Sequence, residues 1–350
     1  MFGLGATGLA IARALGRRGY SVLGVDHRPW EIGRASRYVT ATQTCDVATF
    51  KEGALAAPDH LKWYPAPCAD ERSVGFACGD PELIALCEQA SRLAPWLYLP
   101  ASIRDGLAGR LVDKRAMYER CAAAGARVPE WRAGLWSRGG PWVVKPVLAG
   151  ASRQRPFAEK ARLVSDLGSW REQPAVIVQD FVPGSVKDVH VWAAFVDDRG
   201  QVGVSVTAQK LRERPAPFGS ASWLQTTRDP EVDRKSRDLV GALGLTGTIG
   251  VEWKRCRGEL WLIEVNPRPV LWLGVAEQIV VDAFQALRGA PRPPASAQPA
   301  GRTWRYAARE PLSPRADVDA LWASDDPLPG LLGPAYTALL AGKRLLGKRF

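Results

Sequence analysis

Gly250-Val251-Glu252-Trp253-Lys254 leads into a tight turn at Cys256-Arg257-Gly258, and the chain returns as Trp261-Leu262-Ile263-Glu264-Val265-Asn266-Pro267-Arg268. Two alternating strands joined this closely have little freedom of register, because a slip of one residue would exchange their faces. A three-residue loop at 256–258, with a left-handed glycine in third place, sets residue 255 opposite 259. Glu252 then faces Leu262, and Glu264 lies diagonally from Glu252 on the same face, about 7–8 Å away between backbones. Asn266 follows on that face by the period of two. Val251, Trp253, Trp261, Ile263 and Val265 point the other way, into a core. A face bearing Glu, Glu and Asn is electrostatically costly without a cation. Oxygen donors of this kind select a hard ion such as Mg²⁺, usually shared with substrate phosphates. A half-exposed sheet with solvated acids accounts for the same pattern.

Three further segments carry cations in strand or helix settings. Val112-Asp113-Lys114 opens a helix that runs to Ala124, with Gly125 as its stop. Pro141 to Pro146 reads as a buried strand delivering Lys145, followed by a loop with Gly150 and Ser152. Ala175 to Val178 is an apolar strand that continues through Gln179-Asp180-Phe181-Val182 into a Pro183-Gly184 turn. Alternation along Gln209 to Arg214 places Lys210, Arg212 and Arg214 on one face, where they repel unless they meet solvent or an anion. The whole chain has 47 basic and 36 acidic residues, a net charge of +11. That excess points to an anionic partner: nucleic acid, a membrane surface or a phosphorylated small molecule. Only 11 of the basic residues are lysines, so each lysine within a motif is informative.

The first hundred residues read as an α/β unit. Gly3-Leu4-Gly5-Ala6-Thr7-Gly8 opens a helix over Leu9 to Arg18, and Tyr20 to Asp26 reads as a buried strand. This is the dinucleotide fingerprint with its acid about 20 residues on, except that only Met1 and Phe2 stand where a preceding strand belongs. Cys78-Gly79-Asp80-Pro81 starts another helix over Glu82 to Arg92. No run approaches about 18 apolar residues, which excludes a membrane-spanning helix. Six cysteines (Cys45, Cys68, Cys78, Cys87, Cys121, Cys256) form no C-x-x-C pair, and His27, His60 and His190 lie far apart, which argues against structural zinc. The start lacks the layout of a signal peptide, so reduced thiols in a cytoplasmic protein are expected.

The joint order of Lys114, Lys145-Pro146, Gln179 to Gly184, Lys210-Leu211-Arg212 and Glu252 with Glu264-Val265-Asn266-Pro267-Arg268 resembles the ATP-grasp superfamily. The resemblance spans roughly residues 3 to 290 and is to the carboxylate–amine ligase-like branch, in which D-aspartate ligase is one activity. It implies a mixed α/β and α+β fold. A Rossmann-like domain would cover 1–105, with an ATP-grasp small lobe over 106–182 and a large lobe with the metal site over 183–290. A linker and basic C-terminal helical tail would occupy 291–350. It implies ATP and Mg²⁺, with Mn²⁺ as the alternative ion, and small-molecule carboxylate and amine substrates. Lys114 and Lys145 would contact the nucleotide phosphates, joined by Arg212. Gln179, Asp180, Phe181 and Val182 would form the hinge along the adenine edge, and Asp188 would hold the ribose where the family usually has Glu. Glu252, Glu264 and Asn266 would hold the metal. Arg268 and Lys210 would neutralise the transferring phosphoryl group and the acyl phosphate.

Two other readings stand beside this one. An NAD-dependent oxidoreductase would use Gly3 to Gly8 and Asp26, but leaves Glu252, Glu264 and Asn266 without a role. A non-catalytic anion- or membrane-binding protein would use the tail from Ala335, where Leu339, Leu340, Leu345 and Leu346 stand beside Lys343, Arg344, Lys348 and Arg349. That tail reads as a basic amphipathic helix, either a peripheral membrane contact or a helix packed on the body. The 14 tryptophans form no stacking series among basic residues, so no nucleic-acid partner is expected. A homodimer is compatible with the sequence.

Overall fold

The computed structural model describes residues 1–44, 72–131, 140–148, 160–168, 170, 173–292, 300–311 and 313–345. Cys45, Cys68, His60, Gly150 and Ser152 lie outside them. The N-terminal elements are helix α1 (Ala6–Gly16) and strands β1 (Leu23–Asp26), β2 (Ala41–Thr44), β3 (Ser73–Val74) and β4 (Leu97–Tyr98). β1 pairs parallel with β2, and β3 with β4. Phe2 bridges in parallel to both Val25 and Ala77 and so holds the central place with a single residue. The resulting order, β2, β1, Phe2, the 73–77 segment, β4, is that of the first part of an open doubly wound sheet. Helix α2 (Asp80–Glu88) follows the 73–77 segment, with Pro81 in its first turn.

Helix α3 (Lys114–Ala123) starts on Asp113, whose side chain accepts from the Arg115 and Ala116 amides, and Gly125 beyond it has φ +83°. Strands β5 (Trp142–Pro146), β6 (Arg162–Val164) and β7 (Val176–Asp180) form a three-stranded antiparallel sheet in the order β6-β5-β7. The larger sheet contains β8 (Val189–Val196), β9 (Val202–Arg214), β10 (Ser220–Thr227), β11 (Gly247–Cys256), β12 (Glu259–Asn266), β13 (Thr303–Arg305) and β14 (Val318–Asp319). Its order is β12-β11-β8-β9-β10-β13-β14.

The period of two gives this sheet two buried faces. Val191, Ala193 and Phe195 of β8 pack with α1 and with helix α5 (Glu277–Leu287). Trp192, Ala194 and Val196 pack instead with α3 and with helix α4 (Pro230–Leu243). α4 is capped by Asp229, which accepts from the Val232 amide, begins with Pro230, and ends at a left-handed Gly244. Val232, Ser236, Leu239, Val240 and Leu243 form its buried stripe.

The structure differs from the expected linker and tail beyond residue 291. Strand β13 adds to β10, and Trp304, Tyr306, Ala320, Leu321 and Tyr336 enter the same core as α1. Helix α6 (Leu328–Leu345) is rooted by Asp326, only 1% exposed. Asp326 accepts from Arg13 Nε (2.9 Å), Ser36 Oγ (2.7 Å) and the Arg37 amide (2.9 Å). Asp326→Ala leaves the buried Arg13 guanidinium without its carboxylate, which should cost about 3–5 kcal/mol in urea unfolding. A loss below about 1 kcal/mol would show that this ion pair does not anchor the C-terminal segment.

Candidate active site

The hairpin of β11 and β12 departs from the expected register. Cys256 pairs with Glu259, so the loop has two residues, Arg257 and Gly258, both at positive φ (51° and 79°). This is the tight turn whose twist matches that of its strands. The register then shifts between Glu252 and Trp253, leaving Ile263 unpaired as a bulge. The two corrections bring Glu252 directly opposite Glu264 instead of diagonal to it. They also change the core set: Leu260 and Leu262 join Val251, Trp253 and Val265 inside, while Trp261 and Ile263 are only half-buried.

Four lysines surround the opposed carboxylates. Lys210 Nζ on β9 donates to Glu252 Oε2 at 2.8 Å. Lys160 Nζ donates to Glu264 Oε2 at 2.6 Å and lies 3.8 Å from Glu252 Oε1. Lys114 Nζ, at the first residue of α3, is 3.7 Å from Glu264 Oε1. Lys145 Nζ on β5 donates to the Tyr118 hydroxyl at 3.1 Å. That hydroxyl oxygen also lies 2.9 Å from Gln179 Oε1 and 2.8 Å from the Ile263 carbonyl. Tyr118 therefore ties α3, β5, β7 and β12 together at one atom.

Burial and charge compete throughout this cluster. Burial pushes the Glu264 carboxyl up, but Lys160, Lys114 and Lys145 outweigh it and hold the group below the usual carboxylate range. Glu252 is held low in the same way by Lys160 and Lys210. Burial lowers Lys160, and the two glutamates reverse this and raise it. Lys145 lacks so close a carboxylate; burial, with Lys114 and Lys160 nearby, pushes it down to about 7.

Glu252, Glu264 and Asn266 fit a hard divalent ion in kind. They offer two carboxylates and a carboxamide, with Asn266 Nδ2 3.4 Å from Glu264 Oε2. Among the described residues no three His, Cys, Asp or Glu side chains meet as a metal site. An ion here would therefore complete its shell with phosphate oxygens and water.

The other expected residues are placed differently. Gln179 is buried against Tyr118, and Val182 is buried. The Asp180 amide donates to the Glu130 carbonyl (2.8 Å), and Lys254 Nζ sits 5.1 Å from the centre of the Phe181 ring. Arg268 Nε donates to Asp80 Oδ1 at the start of α2. Burial lowers its pKa and Asp80 raises it, with a net rise. Arg212 does not join the lysines, because it pairs with Glu310 (2.7 Å), which also draws Arg214 (3.6 Å). Asp188 is occupied in a capping box with Ser185. Sequence reasoning missed Lys160, Tyr118, Asp80 and Glu310. Tyr118 stands four residues after Lys114 on one helical face and was open to detection; Lys160 had only the scarcity of lysine to mark it.

The N-terminal glycine loop is closed on itself. Asp26 is buried and accepts from the Leu4 amide (2.6 Å), the Arg28 amide (2.9 Å) and Arg28 Nε (3.1 Å). A Cβ at Gly8 would fall 2.2 Å from the Gly3 carbonyl oxygen, and one at Gly33 2.5 Å from that of Leu4. These glycines serve close packing, and Asp26 has no oxygen to spare for a ribose, which removes the basis of the NAD reading.

Residues 111–270 match the model of the ATP-grasp domain family. Solved structures share the fold across most of the chain. N5-carboxyaminoimidazole ribonucleotide synthetase from Thermus thermophilus has a TM-score of 0.60 at 17% identity, covering 86% of this chain and 80% of that one. L-amino acid ligase from Bacillus licheniformis has 0.61 at 17%, covering 86% and 77%. Biotin carboxylase from Campylobacter jejuni has 0.59 at 12%, covering 86% and 73%. No curated protein sequence matches the chain. The matched stretch contains all four lysines of the cluster, both glutamates and Asn266.

The Lys145 shift predicts a pH signature. An unfolded lysine stays protonated to about 10.4, whereas folded Lys145 loses its proton near 7. Between these values the unfolded chain binds the extra proton, so this residue makes stability rise with pH, by at most about 1.4 kcal/mol per unit. Below pH 7 the cost of the buried ammonium is fully present. Lys145→Met should therefore flatten the rise in melting temperature from pH 7 to 9 relative to wild type. Parallel curves for the two proteins would contradict it.

Proposed function

We propose that the chain is an ATP-dependent carboxylate–amine ligase, forming an amide or peptide bond and releasing ADP and phosphate. The observation that carries this reading is the facing pair Glu252 and Glu264 within a ring of Lys114, Lys145, Lys160 and Lys210. With all four lysines protonated the cluster has an excess of positive charge. A triphosphate arriving with one divalent ion would bring its formal sum to neutrality.

In this reading Lys114 and Lys145 hold the nucleotide phosphates, and Gln179 to Val182 line the adenine edge. Glu252, Glu264 and Asn266 would hold Mg²⁺, or Mn²⁺ in its place. When bound, the ion neutralises phosphate oxygens. A substrate carboxylate oxygen attacks the γ-phosphorus and the bond to the β-phosphate oxygen breaks, giving an acyl phosphate and ADP. An amine nitrogen then attacks the acyl carbon, loses a proton, and the carbon–oxygen bond to phosphate breaks. Phosphoryl transfer rests on positioning and charge neutralisation, so Lys210 and Arg268 can serve without a covalent nucleophile. The ion pair with Asp80 fixes the direction of Arg268. Residues 1–105 would line the acceptor side, the lobes 106–182 and 183–290 would close on the nucleotide, and the substrates would be small carboxylates and amines.

Purified protein with Mg-ATP and a panel of amino acids and amines should release ADP and phosphate. AMP and pyrophosphate would sink the mechanism. Glu264→Gln and Asn266→Ala should each lower the rate more than about tenfold, and wild-type rates in both would defeat the metal assignment.

A further inference from the structure

Every oxygen of the opposed carboxylates is met by a lysine. Glu252 Oε2 accepts from Lys210 Nζ at 2.8 Å, and Glu252 Oε1 lies 3.8 Å from Lys160 Nζ. Glu264 Oε2 accepts from Lys160 Nζ at 2.6 Å, and Glu264 Oε1 lies 3.7 Å from Lys114 Nζ. Lys160 reaches both carboxylates, so its ammonium stands between them. Its exposure also differs: the Lys160 side chain is 31% exposed, against 6% for Lys114 and 5% for Lys210. Lys114 and Lys210 are built into α3 and β9, whereas Lys160 precedes β6, an edge strand of the small sheet. Of these three lysines, Lys160 alone combines a bridging position with a side chain that opens to solvent.

We propose that Lys160 is a placeholder cation: it holds the place between Glu252 and Glu264 that a divalent ion would take, and yields it for the nucleotide phosphates when metal and nucleotide bind together. This rests on the reading of the site as one for ATP and a divalent ion. Two physical reasons support it. Each carboxylate oxygen already faces an ammonium, so an ion arriving alone would have to displace one. Its charge would also add to a cluster in which four lysines outnumber two glutamates, a cost that burial magnifies. A triphosphate offsets that charge and offers the displaced Lys160 ammonium new oxygens in charge-assisted hydrogen bonds. The consequence is a binding order: the site resists free metal and accepts metal with nucleotide. Without Lys160, the two carboxylates and Asn266 would be open to a free hard ion.

The test compares Mn²⁺ binding to the full chain, read from the loss of the free-ion electron paramagnetic resonance signal, with calorimetric binding of adenylyl imidodiphosphate in excess Mn²⁺. Lys160→Met should bind Mn²⁺ alone at least about tenfold more tightly than wild type. The same variant should bind the nucleotide analogue at least about tenfold more weakly. A lysine that merely braces the site would, on removal, weaken both or change neither. Lys160→Met/Glu264→Gln should lose the gain in Mn²⁺ affinity, which locates the ion at the carboxylates. Wild type gives a reading independent of any variant's folding. Acetylation of Lys160, followed by mass spectrometry, should rise at saturating Mn²⁺ and fall again when the analogue is added. Unchanged Mn²⁺ affinity in Lys160→Met, or labelling of wild type indifferent to Mn²⁺, would overturn the placeholder while analogue binding left the nucleotide site standing. Failure of wild type to bind the analogue would overturn both.

Discussion

Two carboxylates standing opposite each other on neighbouring strands repel, and the rest of the site is arranged around that repulsion. Glu252 and Glu264 are tolerated because Lys210, Lys160 and Lys114 approach them from three different parts of the chain. Those lysines are in turn tolerated because the carboxylates are there. Lys145 shows the cost of lacking such a partner, since burial moves it close to neutrality at physiological pH. The cluster is thus self-compensating at rest yet retains an excess of cations, which favours an anionic ligand.

The scaffold that holds these groups is a sheet with both faces covered. β8 supplies one set of alternate residues to the α1–α5 core and the other to the α3–α4 core. Tyr118 joins α3 to three strands through a single hydroxyl, placing Lys145 and Gln179 together. On the far side, Asp326 draws the C-terminal segment onto the N-terminal unit, so a stretch that reads as an appendage becomes part of the core. The helix that follows inherits its fixed position from that buried ion pair.

Legibility followed the range of each interaction. The helix from Lys114, its Asp113 cap and its Gly125 stop depend on neighbours within a few residues, and so could be read directly. The hairpin was readable as a hairpin, but its register was not. Arg257 accepts a positive φ that a residue-type argument reserves for glycine, and this shortens the loop by one. The bulge at Ile263 then restores the glutamates to a common face. Arg212 was misplaced for a related reason: its partner Glu310 lies 98 residues away.

By itself, the sequence determined which residue types occur at which local spacing: glutamates and an asparagine on one hairpin, lysines on a helix start and two strands, and an uncharged stretch before a basic end. Local periodicity and capping are properties of a few consecutive residues, so they survive without a fold. Only the tertiary structure decided that Lys160 completes the cluster, that Asp26 closes the glycine loop on itself, and that Arg212 turns away to Glu310. Those outcomes depend on the position of one oxygen relative to a charge far away in sequence, and the Coulomb energy between them exists only once the chain has brought them within a few ångströms.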